Sequence, residues 1–174
     1  MSLLGYDPGK YHRGRAPLEA AAMGIMLRKS DWIFRINLVT VIDGKMVDHS
    51  AGHISSDEGQ QLLVDLAKHV ELTGMTFHPG VSYRNIMVDR SGKHDWTALR
   101  STPPHDIPGE SVAKYLPVGG SKDKSEHTKL LLQLISQSGR FLADHEINRT
   151  RRELGELPAT HIWPWGQGQI PDMA

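Results

Sequence analysis

Polar and apolar positions alternate most clearly over Trp32–Val41, WIFRINLVTV. Alternation puts Ile33, Arg35, Asn37 and Val39 on one face of a strand and Trp32, Phe34, Ile36, Leu38 and Thr40 on the other. Asp43-Gly44 is a hairpin turn pair, so Lys45 to His49 reads as the returning strand. The period then changes. Leu62, Leu63, Leu66, Ala67 and Val70 recur at helical spacing behind Ser55 or Ser56, with Asp57 and Glu58 in the first turn, which predicts a helix to about Glu71. Upstream, Pro17 suits the first turn of a helix whose expected face is Leu18, Ala21, Ala22, Ile25 and Met26, although Gly24 weakens it. Leu3 to Arg15 has turn residues and no period, and reads as loop.

Two further strands are expected at Met75–His78 and Ser82–Asp89. Gly92 to Val118, rich in Pro, Gly and His, exceeds the usual ~12–15 residues of an unstructured connection. It reads as a long ordered loop with one short helix and a functional purpose. A helix beginning at Lys122–Ser125 carries Leu130, Leu131, Leu134 and Ile135, and a second helical piece spans Phe141 to Leu154 before Gly155. The closing HIWPWGQGQIP reads as a short strand and a Gly-rich turn. Strands joined by hairpins cannot form an all-parallel sheet. The predicted fold is therefore α+β, a mixed or antiparallel sheet with helices mainly on one face, of the ferredoxin-like sandwich type.

Composition narrows the function classes. Twenty basic residues balance 20 acidic ones, which leaves neither a basic stripe for nucleic acid nor a charged tail for a membrane surface. With no Cys there is no disulfide framework, thiol nucleophile or Cys-ligated zinc. No apolar run reaches the ~20 residues of a membrane span, so a cytoplasmic protein is expected. The 17 Gly and 10 Pro fit either a loop-rich domain or a piece of something larger that covers its surfaces.

Candidate chemistry is scattered, with no phosphate loop, dinucleotide fingerprint, GxSxG or HExxH. Arg35, mid-strand in an apolar run, requires an anion or carboxylate partner because it stays charged; a structural salt bridge fits equally. Asp48, His49 and His53 cluster at a strand end, without the third or fourth ligand that a metal needs. His105-Asp106, behind Pro103-Pro104, form a pair that can orient or deprotonate a hydroxyl, while a solvated His and a capping Asp is the plainer alternative. Arg149, Arg151 and Arg152 fit a solvated face or an anion site, and Trp163 and Trp165 fit stacking or core. Arg15, Arg35, Arg84 and Arg151 are the planar forks available to clamp a small phosphorylated acid.

Five ordered blocks then become informative together: LGYDPGKYHRGRAPLEAAAMGI, FRINLVTVIDGKMVDHSAGHIS, HPGVSYRNIMV, PPHDI and DHEINRTRRELGELPATHIWPWGQG. They resemble the archaeal-type 2,3-bisphosphoglycerate-independent phosphoglycerate mutase family, which includes bacterial members proposed as homoserine kinases. The resemblance implies an alkaline-phosphatase-like metalloenzyme core, with two divalent metals (manganese or zinc) and a serine nucleophile, into which a second domain is inserted. It implies that residues 1–15 are a junction loop, 16–165 the substrate-binding insert, and 166–174 the junction back to the core. By the same resemblance Arg15, Arg35 and Arg84 bind phosphate or carboxylate. Asp48, His53, His105 and Asp106 contact hydroxyls or assist proton transfer, His105 and Asp106 being the catalytic candidates. Asn148 and Arg151 match an N-x-x-R substrate-binding pattern. His49 stands where an aromatic is commoner and receives no role. No metal site is expected in this chain. Its expected partners are phosphoglycerate and the flanking core, with no nucleic acid or membrane. Phosphotransfer to homoserine and a binding module without chemistry stay open as alternatives.

Overall fold

In the computed structural model, which describes residues 15–70, 74–119 and 126–170, strand β1 (Trp32–Ile42) organises the sheet. One edge of β1 pairs with β4 (Arg84–Asp89), the other with β5 (His161–Gly168), and its far end with β2 (Lys45–Asp48). Strand β3 (Met75–His78) completes the sheet beyond β4. Every pairing is antiparallel. Without β2, the order β5-β1-β4-β3 with helices in the two crossovers is the ferredoxin-like arrangement, so the α+β expectation holds and its mixed-sheet option drops out.

The alternation read in β1 is the alternation observed. Phe34, Ile36 and Leu38 are fully buried with Leu62, Leu63 and Leu66 of α2 (Ser56–His69) and Leu131, Leu134 and Leu142 of α3 (Glu126–Ala143). Each such side chain contributes about 1.5–3 kcal/mol by leaving water, which makes this face the principal core. Helix α2 starts where expected. Ser55 accepts from the Glu58 N–H while the Glu58 carboxylate accepts from the Ser55 N–H, a reciprocal capping box.

Helix α1 (Ala16–Ala22) differs from expectation. Its buried face is Ala16, Pro17 and Ala20 rather than the expected one, which leaves Leu18 exposed, and Gly24 at φ +73° ends it before Met26, which is exposed too. The Gly24 and Ile25 N–H groups turn back to the Ala21 and Ala20 carbonyls, a left-handed C-cap that limits the helix to two turns. The helical piece expected over Phe141–Leu154 divides into the end of α3 and α4 (Glu146–Glu153), since the His145 ring accepts from the Ile147 N–H and caps a new helix. The closing strand is longer than expected. It runs through residues 166–168, assigned above to a junction, because a register shift opposite Ile33 and Arg35 lets Gly166 adopt φ +62°. The expected loop before Arg15, the limit at Glu71 and the helix start at Lys122–Ser125 lie outside the described residues.

The long segment from Gly92 to Val118 is ordered around two short 3-10 turns, Pro104–Asp106 and Val112–Lys114, rather than one helix. Its backbone zips onto the β1–β2 hairpin: Met46 N–H donates to Glu110, Gly109 N–H to Met46, and Val112 N–H to Gly44. Ile107 inserts beside Val39, Met46 and Trp163.

Asn148 and Arg151 hold the C-terminal half together. Asn148 is fully buried, donating to the Leu142 and Ala159 carbonyls and accepting from the Ala159 N–H. Arg151 donates to the Leu157 and Ala51 carbonyls and pairs with Glu58 and Glu156. Truncating one partner of a buried pair strands the other's charge and the carbonyls. Arg151→Met is accordingly expected to lower unfolding stability by about 3 kcal/mol, read from urea midpoints with the slope unchanged.

Candidate functional site

The second face of β1 is apolar at both ends and polar in the middle. Ile33 packs with Ala16 and Ala20 of α1 and with Ile86 and Val88 of β4. Val39 lies under the long loop with Ile107 and Trp163. Between these two clusters Arg35 and Asn37 open into a cleft also lined by Glu19, His49, Tyr83, Arg84, Asn85, His105 and Trp165. Its volume of about 210 Å³ suits a small organic acid, being below the ~300 Å³ typical of sites for drug-sized ligands.

Each wall has an identifiable support. Trp165 lies opposite Arg35 across the β1–β5 pairing, and the guanidinium carbon sits 4.6 Å from its ring centroid. The indole N–H donates to Asn37 Oδ1 at 2.9 Å, and Asn37 Nδ2 donates to the His49 carbonyl at 3.0 Å. Buried Asn37 thus orients the surface under Arg35 and the backbone of the hairpin end at once. Glu19 reaches in from α1, its carboxylate accepting two hydrogen bonds from Arg35, one from Nε at 2.8 Å. Arg84 lies exposed beside the Tyr83 ring, 5.1 Å from the centroid, and among the described residues has no carboxylate partner. The turn before it is tied to α2: the Ser82 N–H donates to Ser56 Oγ and Gln60 donates to the Gly80 carbonyl.

The aromatic rim combines three sequence-distant pieces. The His49 ring meets Tyr83 edge-on at 5.7 Å between centroids and His105 at 6.1 Å, while His105 meets Trp165 at 5.3 Å. The 3-10 turn set by Pro103 and Pro104 brings His105 there, so the long loop does serve the cleft.

Of the sequence candidates, Arg35, Arg84 and His105 converge. The rest lie elsewhere. Arg15 stands exposed at the start of α1. His53 is exposed, with φ +52° in the turn after β2. Asp106 points outward, 59% exposed and 3.6 Å from His105. Asn148 and Arg151 are absorbed in the structural contacts described above. Asp48 organises its own turn, accepting from the Ser50 N–H at 2.6 Å and from the Ser50 hydroxyl. Burial alone pushes its carboxyl up, but the hydrogen bonds from Ser50 and the Gly52 backbone, with His49 nearby, outweigh that and hold it below the usual value. Asn37, Tyr83 and Glu19 escaped sequence reasoning, and His49 was passed over. Asn37 carried a signal: a buried amide on the strand face of Arg35 must find partners.

Among the described residues no group of three or more His, Asp or Glu side chains is arranged to hold a metal ion. No described helix is long and apolar enough to cross a membrane.

Two outcomes are expected from these supports. Asn37→Asp places a carboxylate against the His49 carbonyl and removes its donor, so stability falls by about 1–3 kcal/mol in chemical denaturation, with altered Trp165 emission. Asp48, depressed in the folded state, contributes stability that is fully present above its unfolded value and is lost as pH falls through the lower folded one. Acid titrations of the unfolding midpoint below roughly pH 4 should therefore be flatter for Asp48→Asn than for the parent chain.

Comparisons with known proteins point to one family. The family model for 2,3-bisphosphoglycerate-independent phosphoglycerate mutase matches residues 1–148. A relative of that name from Methanosarcina mazei is 46% identical over 171 residues, covering 98% of this chain and 41% of the relative. A Geobacter sulfurreducens protein, named as a probable mutase of the same kind, is 42% identical over 178 residues, covering 100% of this chain and 42% of its own. Among solved structures, a cofactor-independent phosphoglycerate mutase from Thermoplasma acidophilum superposes with a TM-score of 0.75 at 28% identity, covering 98% of this chain and 45% of that one. The chain spans about two-fifths of the length of the curated relatives it matches. Over that span it belongs to the 2,3-bisphosphoglycerate-independent phosphoglycerate mutase family.

Proposed function

We propose that this chain is the substrate-gripping insert domain of an enzyme that interconverts 3- and 2-phosphoglycerate. The observation that carries the reading is the pairing, in one small cleft, of a stacked arginine fork at Arg35 with an exposed guanidinium at Arg84. A phosphoglycerate presents two anionic ends a few bonds apart, and planar forks bind carboxylate and phosphate oxygens side by side. His49 and His105 line the same space, where an imidazole can accept a hydroxyl proton or return it. Retention of the glycerate is the chemical requirement. A phosphoryl group that leaves one hydroxyl and returns to the neighbouring one makes a mutase only if the acceptor stays bound in between. In this reading the cleft supplies that grip.

The phosphoserine step and the two divalent metals, manganese or zinc, belong in this reading to the flanking core of the same polypeptide. Among the described residues no group of three or more His, Asp or Glu side chains is arranged to hold them. Ala16 packs against Ile33, and Gly168 is the strand partner of Ile33, so the first described helix and the last described strand meet beside the cleft. A cytoplasmic location goes with this substrate.

One observation favours a second reading. A carboxylate at Glu19 next to the Arg35 fork would meet the ammonium and carboxylate of an amino acid, as phosphotransfer to homoserine would require.

The test is the complete polypeptide, assayed with 3-phosphoglycerate and separately with homoserine plus ATP. Mutase turnover is expected, with Arg35→Ala and Arg84→Ala each lowering kcat/KM by about 100-fold; activity in the homoserine assay alone overturns the reading. The 174-residue chain by itself is expected to show no turnover.

A further inference from the structure

The Arg35 fork is filled by an internal carboxylate. Glu19 accepts from both Nε and Nη2, the side-by-side geometry in which a guanidinium holds a carboxylate. The two partners are unequally fixed. Arg35 is 15% exposed, stacked on Trp165, and Trp165 is itself held by Asn37. Glu19 is 48% exposed, and its carboxylate has no other hydrogen bond among the described residues. It sits on a helix of seven residues that ends at Gly24. Arg35 is the stationary half of the pair and Glu19 the removable one.

We propose that Glu19 is a displaceable internal carboxylate that occupies the seat of the ligand's own carboxylate and sets the affinity of the cleft for acids. The proposal rests on the reading that the cleft takes a phosphorylated three-carbon acid. Exchange of one carboxylate for another leaves Arg35 paired throughout, so a largely covered guanidinium is never stripped of its counter-ion. The phosphoryl end is left to Arg84, which has no internal carboxylate to displace among the described residues. A ligand without a carboxylate can offer Arg35 only the phosphoryl group that Arg84 would otherwise hold. Glu19 thereby discriminates against it.

The sign of the effect separates this role from a structural one. If Glu19 merely held Arg35 in a productive rotamer, removing its charge would weaken binding; if it competes, binding tightens. Dissociation constants are measured by calorimetry on the 174-residue chain and its Glu19→Gln and Glu19→Ala variants, with D-glycerate, glycerol 3-phosphate and 3-phosphoglycerate as probes. Both variants are expected to bind D-glycerate and 3-phosphoglycerate about fivefold more tightly, the worth of an exposed pair, and glycerol 3-phosphate with less than about a twofold gain. Unchanged, weaker or undetectable binding of the two carboxylates by both variants overturns the proposal. So does an equal gain for glycerol 3-phosphate, which would make Glu19 a diffuse charge rather than a seat. If the variants gain for D-glycerate but 3-phosphoglycerate binds no better than D-glycerate, the exchange stands and the phosphorylated-acid reading fails. If 3-phosphoglycerate binds well and the variants gain nothing, that reading stands and the exchange fails.

Discussion

A guanidinium in the middle of a buried strand is the constraint around which this structure is arranged. Arg35 cannot be neutralised by losing a proton, and β1 is flanked by partners on both edges, so the side chain has one way out, over the sheet face. The neighbouring elements accommodate that single charge. Trp165 supports it from β5, Glu19 pairs with it from α1, and the apolar clusters around Ile33 and Val39 stop short of it on either side.

The remainder of the fold gives this gap its precision. Helices α2 and α3 bury the opposite face of the sheet and make it a rigid floor. The capping box at Ser55 and the tie from Ser56 to Ser82 fix the turn that presents Tyr83 and Arg84. Asn148 and Arg151, far from the cleft, fasten α4 to the start of β5 and to α2. Their cost of removal falls on stability, and the cleft benefits only through the placement of Trp165. The loop after β4 contributes His105 because two prolines restrict its backbone and because its edge is hydrogen-bonded to the β1–β2 hairpin.

Local pattern made much of this legible. The alternation in WIFRINLVTV gave the right faces, the Asp43-Gly44 turn the right hairpin, and Ser55 with Glu58 the right helix start, since each is decided within a few residues. Arg35 was singled out on the same grounds. Glu19 and Asn37 were missed because their partners lie 16 and 128 residues away, distances that a pattern scan does not cross. Asn148 and Arg151 are the converse case. A motif match assigned them to substrate, whereas the structure surrounds them with backbone carbonyls and carboxylates. Spacing puts Leu18 and Met26 inward, but the helix turns Ala16, Pro17 and Ala20 to the sheet instead of Leu18, and Met26 lies beyond the Gly24 cap.

The central claim is that a small phosphorylated acid binds between Arg35 and Arg84 on the Trp165 surface. It is tested most directly by following the tryptophan indole N–H resonances of the chain while 3-phosphoglycerate is titrated to millimolar concentration. Trp165 stacks on Arg35, whereas Trp96 and Trp163 are buried with their indoles bonded to Asp89 and to the Thr102 carbonyl. A saturable shift of the Trp165 indole is expected that leaves those of Trp32, Trp96 and Trp163 in place and disappears in Arg35→Ala. Equal movement of all four indoles, or no saturable movement of Trp165, would contradict it.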